Sequence, residues 1–438
     1  MLKQRTIFWF WLPLAFSFLL MIFEGPWIQG IISRQDDAAV QLAAFGLVIG
    51  MAVLIETPVI TFLAVGSALA QDRQSYHVLS RYVLTVNILL TIVSALLAFT
   101  PLLDFYLGTV LDIPQHLIDA SRPAMRILVF WTWFIGYRRL HQGILINSNR
   151  TQTITVGTFL RLVASVGIAF GLGAWGQLSG VVIAAWSLMG SVTVEMIYVH
   201  IISRPDVARL KSKPSVEGGR APLSIQHVMR FHFPLAITSI MSWLVLPLTQ
   251  RALAQADNAV DVLAAYPVIF SIMMIMRSGG IAWQEAVIAL NRGEAERQAL
   301  QTFTRSLGLG TSLIFLLFSA SPLITLYSRT VLGVPEHLVP LIVTGCLFAT
   351  LLPLFSTMQS YLRALLMGQD DTNPIYQAMG IGFTITVGSL FGGIWLGLAA
   401  IPVAITALTV GMAMELAFLR WRLGELTPVL IPFYARES

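Results

Sequence analysis

Charge is scarce in this chain. Only 11% of its 438 residues are Asp, Glu, Lys or Arg, whereas soluble domains carry about 25%. So little charge implies lipid rather than water as the main solvent. Cysteine is nearly missing. Cys346 stands alone, so no intrachain disulfide can form, and its place in an apolar run marks it as an inert packing group. Long polar stretches are missing too, except for Ser203–Gln226, which reads as a linker. No soluble domain fits in what remains. Metal-ligand spacings, nucleophile motifs, phosphate-binding loops and dinucleotide fingerprints are also absent. An enzyme is therefore not expected, nor is a bound cofactor, and any active transport would have to be secondary or depend on a partner.

What is present is apolar. Hydrophobic residues make up 56% of the chain, and the mean hydropathy is +0.77. Backbone amides in lipid must be satisfied internally, which leaves helices or closed barrels. The apolar runs are long and do not alternate as barrel strands do. They place spans near 8–32, 41–70, 78–103, 124–146, 153–174 and 180–202, then near 231–254, 261–290, 306–327, 338–367, 374–396 and 398–419. The expected fold class is an all-α polytopic membrane protein of about twelve transmembrane helices. Short connections such as Ser33–Asp37, Asn147–Gln152 and Gly368–Asn373 carry turn chemistry. Met1–Arg5 and the apolar stretch after it imitate a signal peptide, but no small-residue cleavage site follows.

The net charge of +5 need not mean a nucleic-acid partner, because membrane proteins keep surplus Lys and Arg in cytoplasmic loops. Most loop cations fall on one side, from Lys3 and Arg5 through Arg204–Arg220 to Arg420 and Arg422. Arg34, Arg122 and Arg329 fall on the other. Both termini are therefore expected in the cytoplasm, with the chain in the plasma membrane and monomeric.

An internal repeat organises the chain. FWLPLA at Phe10–Ala15 matches FHFPLA at Phe231–Ala236. DDAAVQLAAF from Asp36 matches DNAVDVLAAY from Asp257, and PLLDFYLGTVLDIPQHL from Pro101 matches PLITLYSRTVLGVPEHL from Pro322. One constant offset relates all three matches, carrying Pro13 to Pro234, Asp36 to Asp257 and Pro101 to Pro322. The same offset carries Pro26 to Pro247 and Pro114 to Pro335. Six helices per repeat bring both halves into the membrane in the same orientation, giving two parallel six-helix repeats. The expected division is 1–203, a cytoplasmic linker 204–228, and 229–438. Such repeats favour a substrate site between halves near the midplane.

Ionisable side chains at membrane depth persist where they meet a wet cavity or a partner. The candidates are Glu24, Glu56, Arg138, Arg139, His141, Arg161 and Glu195 in the first half, and Arg251, Arg277, Glu285, Arg363 and Glu415 in the second. Arg138, Arg139, Arg161 and Arg277 lie deepest, and guanidinium forks suit carboxylate and phosphate oxygens. They make the interior basic and point to a small anionic substrate, with Arg363 and His141 as further contacts. Some of these arginines could instead neutralise buried glutamates. Glu24, two positions before Pro26, and likewise Glu56 and Glu285, are candidates for a coupling H+ or Na+; Glu24 could equally be an arginine's structural partner. Gln29 and Gln250 share the repeat spacing and suit either a cavity mouth or interhelical hydrogen bonds. Glu195 and Glu415 sit on last helices, where packing is the expected role. Kinks are expected at Pro13, Pro26, Pro234 and Pro247.

Several short motifs carry a family resemblance across essentially the whole chain. FWLPLA and FHFPLA open corresponding helices, Glu24 precedes Gln29-Gly30-Ile31, LAAF and AAYPV follow, and His141 stands before Gly143-Ile144-Leu145. The sequence resembles the progressive ankylosis (ANK) family, within the superfamily that includes MATE multidrug exporters and lipid flippases. The resemblance implies two helical bundles in a V around a central cavity, rocking between inward and outward openings. It also implies a pyrophosphate, citrate or nucleotide substrate class. No long polar tail follows the last helix, so regulation through a tail is not expected. Competing readings are MATE-type ion-coupled cation or drug export, lipid-linked precursor flipping, and a non-transporting regulatory subunit.

Overall fold

The computed structural model describes residues 3–148, 150–213, 222–291, 294–367 and 373–424. The centre of the Ser203–Gln226 stretch, the Gly368–Asn373 turn before Asn373, and Arg220 and Arg292 lie outside these residues. Among the described residues every regular element is a helix, as lipid solvation demands.

The first expected span is divided into α1 (Gln4–Ile22) and α2 (Glu24–Ile32). Pro26 explains the break, because its ring would collide with the carbonyl four residues back, at Ile22. By contrast, α1 continues through Pro13. The second span is α3 (Ala38–Ile60) and α4 (Phe62–Leu69), parted at Thr61 just after Pro58. Next come α5 (Arg73–Phe99), the single turn α6 (Leu102–Asp104) with a π turn over Phe105–Val110, and α7 (Gln115–Ile127). A 3-10 turn, Leu128–Phe130, leads into α8 (Trp131–Asn147). The repeat closes with α9 (Thr151–Trp175) and α10 (Gly180–Ser212), so the polar stretch from Ser203 to Ser212 extends a helix rather than starting a loop.

The second repeat contains α11 (Ile225–Ala254), α12 (Ala259–Leu290), α13 (Glu294–Ala320) and α14 (Pro322–Leu326). A second π turn, Tyr327–Val331, follows. Then come α15 (Val339–Phe348), α16 (Leu352–Met367), α17 (Asn373–Trp395) and α18 (Ala400–Arg422). The two π turns obey the repeat spacing. Ile113 N donates to Leu107 O, and Val334 N to Ser328 O, both at 2.9 Å.

Ten described helices are long and apolar enough to cross a membrane, or eleven if α15 and α16, bent by 41°, count as one span. The remaining expected span holds α8. Its 17 residues fall short of that length, and they include Arg138, Arg139, His141 and Gln142. The chain is thus an integral, all-helical membrane protein.

Packing gathers the helices into two compact units. One comprises Met1–Ile22, Ile269–Thr325 and Ile342–Ser438, and the other Phe23–Val268 and Leu326–Leu341. The repeat boundary and the packing boundary differ, since α1 packs with helices of the second repeat and α11 with helices of the first.

In the smaller unit, Trp283 stacks against Phe303 with ring centroids 4.8 Å apart, and its indole N–H donates to Thr304 at 2.9 Å. Leu300, Leu365 and Leu419 are buried around them. Trp11 of α1 donates to the carbonyl of Gly279 at 2.8 Å. In the larger unit, Leu42, Leu47, Met51, Phe62 and Leu79 are fully buried or nearly so. A Cβ on Gly143 would lie 2.5 Å from the carbonyl of Leu63, so glycine lets α8 lie directly on α4.

His232 of α11 is buried, and its Nε2–H donates to the carbonyl of Pro58 at 2.8 Å. That carbonyl also accepts from the Thr61 hydroxyl at 2.8 Å. The other ring nitrogen, Nδ1, lies 2.7 Å from the Tyr82 hydroxyl, which donates to it. Trp11 and His232 are related by the repeat offset, and so are Pro58 and Gly279. Each first helix therefore donates a ring N–H to the second helix of the opposite repeat.

Candidate functional site

Eight of the sequence candidates lie in the larger unit: Glu24, Gln29, Glu56, Arg138, Arg139, His141, Arg161 and Gln250. Arg277, Glu285 and Arg363 lie in the smaller one.

The larger unit concentrates charge where α2, α8, α9 and α10 meet. Arg138 is ion-paired with Glu195, and both side chains are buried. Gln142, one turn along α8, donates to the other Glu195 oxygen at 3.1 Å. Arg161 holds Glu24 through two donors, its Nε lying 3.0 Å from the carboxylate. Ser191 donates to the second Glu24 oxygen at 3.0 Å. The pairs form one network, because Arg161 Nη1 stands 3.9 Å from Glu195. Removing one member of a buried pair costs about 3–5 kcal/mol by stranding the other charge.

Two further groups complete the cluster. Glu56 is buried in α3 and accepts from the indole N–H of Trp131. Arg139, half-buried, donates to the amide oxygen of Gln142 at 3.3 Å rather than to a carboxylate. Glu56 and Arg139 thus hydrogen-bond neutral partners, while each lies within electrostatic range of the other and of Arg161.

Gln29 and Gln250 serve as interhelical donors. Gln29 Nε2 donates to Pro267 O at 2.9 Å, and Gln250 Nε2 to Gly46 O at 2.6 Å. Gly46 and Pro267 are again related by the repeat offset, so each repeat returns the other's bond. Near the same helix ends, Arg34 donates to the carbonyls of Thr330 and Val331 at 3.0 and 2.8 Å, and Arg251 donates to Val110 O. Val110 and Val331 also share a repeat position. Arg251 is thereby an anchor for the π turn.

His141 stacks on Tyr137 with centroids 4.2 Å apart, and its Nδ1 meets the Tyr137 carbonyl at 2.9 Å. It lines a cleft with His200, Arg204 and Lys211. In the smaller unit, Arg363 holds Glu415, its Nε at 3.0 Å. Arg277 is half-buried in α12, with Met274 Sδ 3.9 Å from its Nη1. Glu285 is exposed, five residues before the end of α12.

Sequence reasoning missed Gln142, Ser191, Trp131 and His200. Their signal was weak, because each is an ordinary helix residue until a charged partner arrives from another helix. Glu195 and Glu415 had a clearer one: in the matching last helices they fall within one position of the repeat offset.

No family model and no curated protein matches the chain. Solved structures do match it. An inward-facing multidrug resistance MATE family transporter of the MOP superfamily aligns at 14% identity over 93% of this chain and 94% of its own, with a TM-score of 0.65. The lipid II flippase MurJ in an inward closed conformation aligns at 12% identity over 94% and 87%, with a TM-score of 0.67. A MOP superfamily transporter from Pyrococcus furiosus aligns at 15% identity over 95% of both chains, with a TM-score of 0.59. The fold is thus the one shared by MATE transporters and MurJ.

Proposed function

We propose that the chain is a secondary transporter that moves small polyanions of the pyrophosphate, citrate or nucleotide class across the membrane by alternating access. The observation that carries this reading is Arg139. It sits at membrane depth beside arginines already matched by Glu195 and Glu24, yet its own contact is an amide. An intramembrane guanidinium is expensive to retain without a ligand. Glu56, held by an indole rather than an arginine, suits a coupling H+ or Na+. Arg277, half-buried in α12, is the corresponding candidate within the smaller unit. The Pyrococcus furiosus neighbour is described as having a binding pocket of reverse polarity that suggests a different function, which supports the view that this fold tolerates sites of either sign. The reciprocal bonds of Gln29 and Gln250, with Arg34 and Arg251, tie together helix ends from both repeats and suit a gate that opens during the cycle. The ANK-like motifs favour the same substrate class. We place the protein as a monomer in the plasma membrane with both termini cytoplasmic.

One observation favours a second reading, ion-coupled cation or drug export of the MATE type. Glu56 is a buried carboxylate with no arginine in hydrogen-bond contact among the described residues, and a cation could use it. Thermal stability of the purified protein separates the two readings, because a ligand bound to the folded state raises its melting temperature. The panel is citrate, pyrophosphate, ATP and cationic dyes. Stabilisation by a polyanion, lost in Arg139→Gln and Arg277→Gln, is the expected result. Stabilisation by dyes alone, lost in Glu56→Gln, would replace the anion reading with the cation one.

A further inference from the structure

A second basic site lies in the larger unit where α5, α8 and α10 meet, lined from α8 by Tyr137 and His141 rather than by the ion-paired Arg138 and Gln142. His141, His200, Arg204 and Lys211 line a cleft of about 260 Å³ with Tyr76 and Tyr137. Among the described residues none of its walls is acidic. The nearest carboxylate along α10, Asp206, is buried and turned to Arg150 at 2.8 Å. The cations are arranged rather than loose. Arg204 Nη2 donates to His200 Nε2 at 3.3 Å, and His200 Nδ1 meets the Tyr137 hydroxyl. Lys211 Nζ lies over the ring of Tyr76, 5.2 Å from its centroid. Tyr76 is itself fixed by the capping box that starts α5, where Ser75 N donates to Asp72 at 2.7 Å.

A groove of about 340 Å³ adjoins this cleft and shares Tyr137 and His200 with it. Its other walls are Trp133, Phe134, Met196 and Ile197, all apolar, with Ile197 exposed on the outside of α10. The cleft takes residues from the start of the candidate span α5 and the last turns of the candidate span α10, while Met196 and Ile197 lie nearer the middle of α10. Polar and apolar halves thus succeed one another along α8 and α10.

The other repeat shows that this opening is not imposed by the fold. The repeat offset carries Tyr137 and His141 to Met358 and Leu362. The cavity those residues line holds only about 20 Å³.

We propose that this cleft and groove bind one anionic phospholipid, with its phosphate at Arg204 and Lys211 beside His141 and an acyl chain along Trp133, Phe134 and Ile197. Basic pockets at the ends of membrane helices hold lipid headgroups in this way. A free anion would fill the cleft and leave the groove unused, so the continuous apolar wall selects an amphiphile. The site is independent of the transport reading and would stand if the substrate were a cation.

The test is native mass spectrometry and thermal stability of the full chain in neutral detergent. Phosphatidylglycerol, phosphatidylcholine and glycerol 3-phosphate serve as probes. Phosphatidylglycerol should bind as one retained molecule, and neither other probe should match it. Arg204→Gln and Lys211→Gln should each weaken it about fivefold, and together about 25-fold, from about 1 kcal/mol per surface cation. Both residues are exposed, so the lipid-free melting temperature should not move. If it does, the charge-preserving pair Arg204→Lys and Lys211→Arg must restore binding. Arg81→Gln, on an exposed residue of α5, should leave binding intact. Equal stabilisation by glycerol 3-phosphate would make this a free-anion site. Equal binding of phosphatidylcholine, an equal loss in Arg81→Gln, or undiminished binding in the double variant would overturn the proposal.

Discussion

In each repeat a glutamate on the last helix faces an arginine on a preceding one, yet the repeats place that arginine one turn apart. The first repeat has Arg138 and then Gln142, and the second has Gln359 and then Arg363. Positions four apart share a helix face, so either order presents one guanidinium and one amide to the same side. Gln142 supports Glu195, whereas Gln359 donates to the Met412 carbonyl at 3.3 Å. The exchange teaches that the carboxylate–guanidinium pair belongs to the architecture, while its exact rung is free to drift.

The surroundings of the two pairs differ more. Arg138 and Glu195 have side-chain exposures of 3% and 1%, against 26% and 10% for Arg363 and Glu415. Among the described residues, only the first pair is joined to a second one. The repeat counterparts of Arg161 and Glu24 are Gly382 and Val245, and Gly382 leaves room for the Glu415 side chain to pass close by. Elaborated charge in one repeat and plain packing in the other fits a site that evolved on one half of a duplicated scaffold.

The largest effect that tests this contrast should come from Glu195→Ala. It strands Arg138 in a dry interior and should cost about 3–5 kcal/mol, read as a large fall in melting temperature or failure to accumulate in the membrane. Glu415→Ala leaves a partly solvated arginine and should lose clearly less. Equal losses would erase the asymmetry.

A middle-sized effect should separate His232 from Trp11, which occupy one repeat position. His232→Phe removes both the Pro58 and the Tyr82 bonds and should cost about 1–3 kcal/mol. Trp11→Phe removes one bond to Gly279 and should cost about 0.5–1.5 kcal/mol. A larger loss from Trp11→Phe would show that ring packing, not hydrogen bonding, dominates at this position.

The smallest effect concerns Asp104, outside the candidate spans, whose carboxyl Arg122 and then Gln115 hold below its ordinary value through hydrogen bonds. A depressed folded-state value stabilises above the unfolded value, and the contribution fades as pH falls through the folded one. The second repeat has Thr325 and Val343 at the positions of Asp104 and Arg122. Arg122→Gln should therefore lower the melting temperature slightly at neutral pH and less in acid, with salt reducing the difference. A difference that grows in acid would contradict the pairing.

Glu24 shows how far the site was legible. Its burial cost was readable from an apolar run, and an arginine partner was one of two readings open. Which arginine was not readable, because Arg161 lies 137 residues away. Pro26 was legible both as a proline and as a break. Pro13 was legible only as a proline, since α1 runs on through it. Glu285 reads as deep by position in the chain, but the rotation of α12 leaves its side chain exposed.

What the sequence determined by itself is the set of helices and their duplication. Lipid forces every backbone amide into a helix, and one constant offset survives in residues that need only be read in order. The tertiary structure alone decided which unit each helix joined, that α1 and α11 pack with opposite repeats, and how Arg138, Arg139 and Arg161 divide their partners. Those outcomes depend on the rotation and depth of helices far apart in the chain. Hydrophobic patterns fix length and solvent, but a side chain four positions along a helix points the same way, so pattern alone does not choose between them.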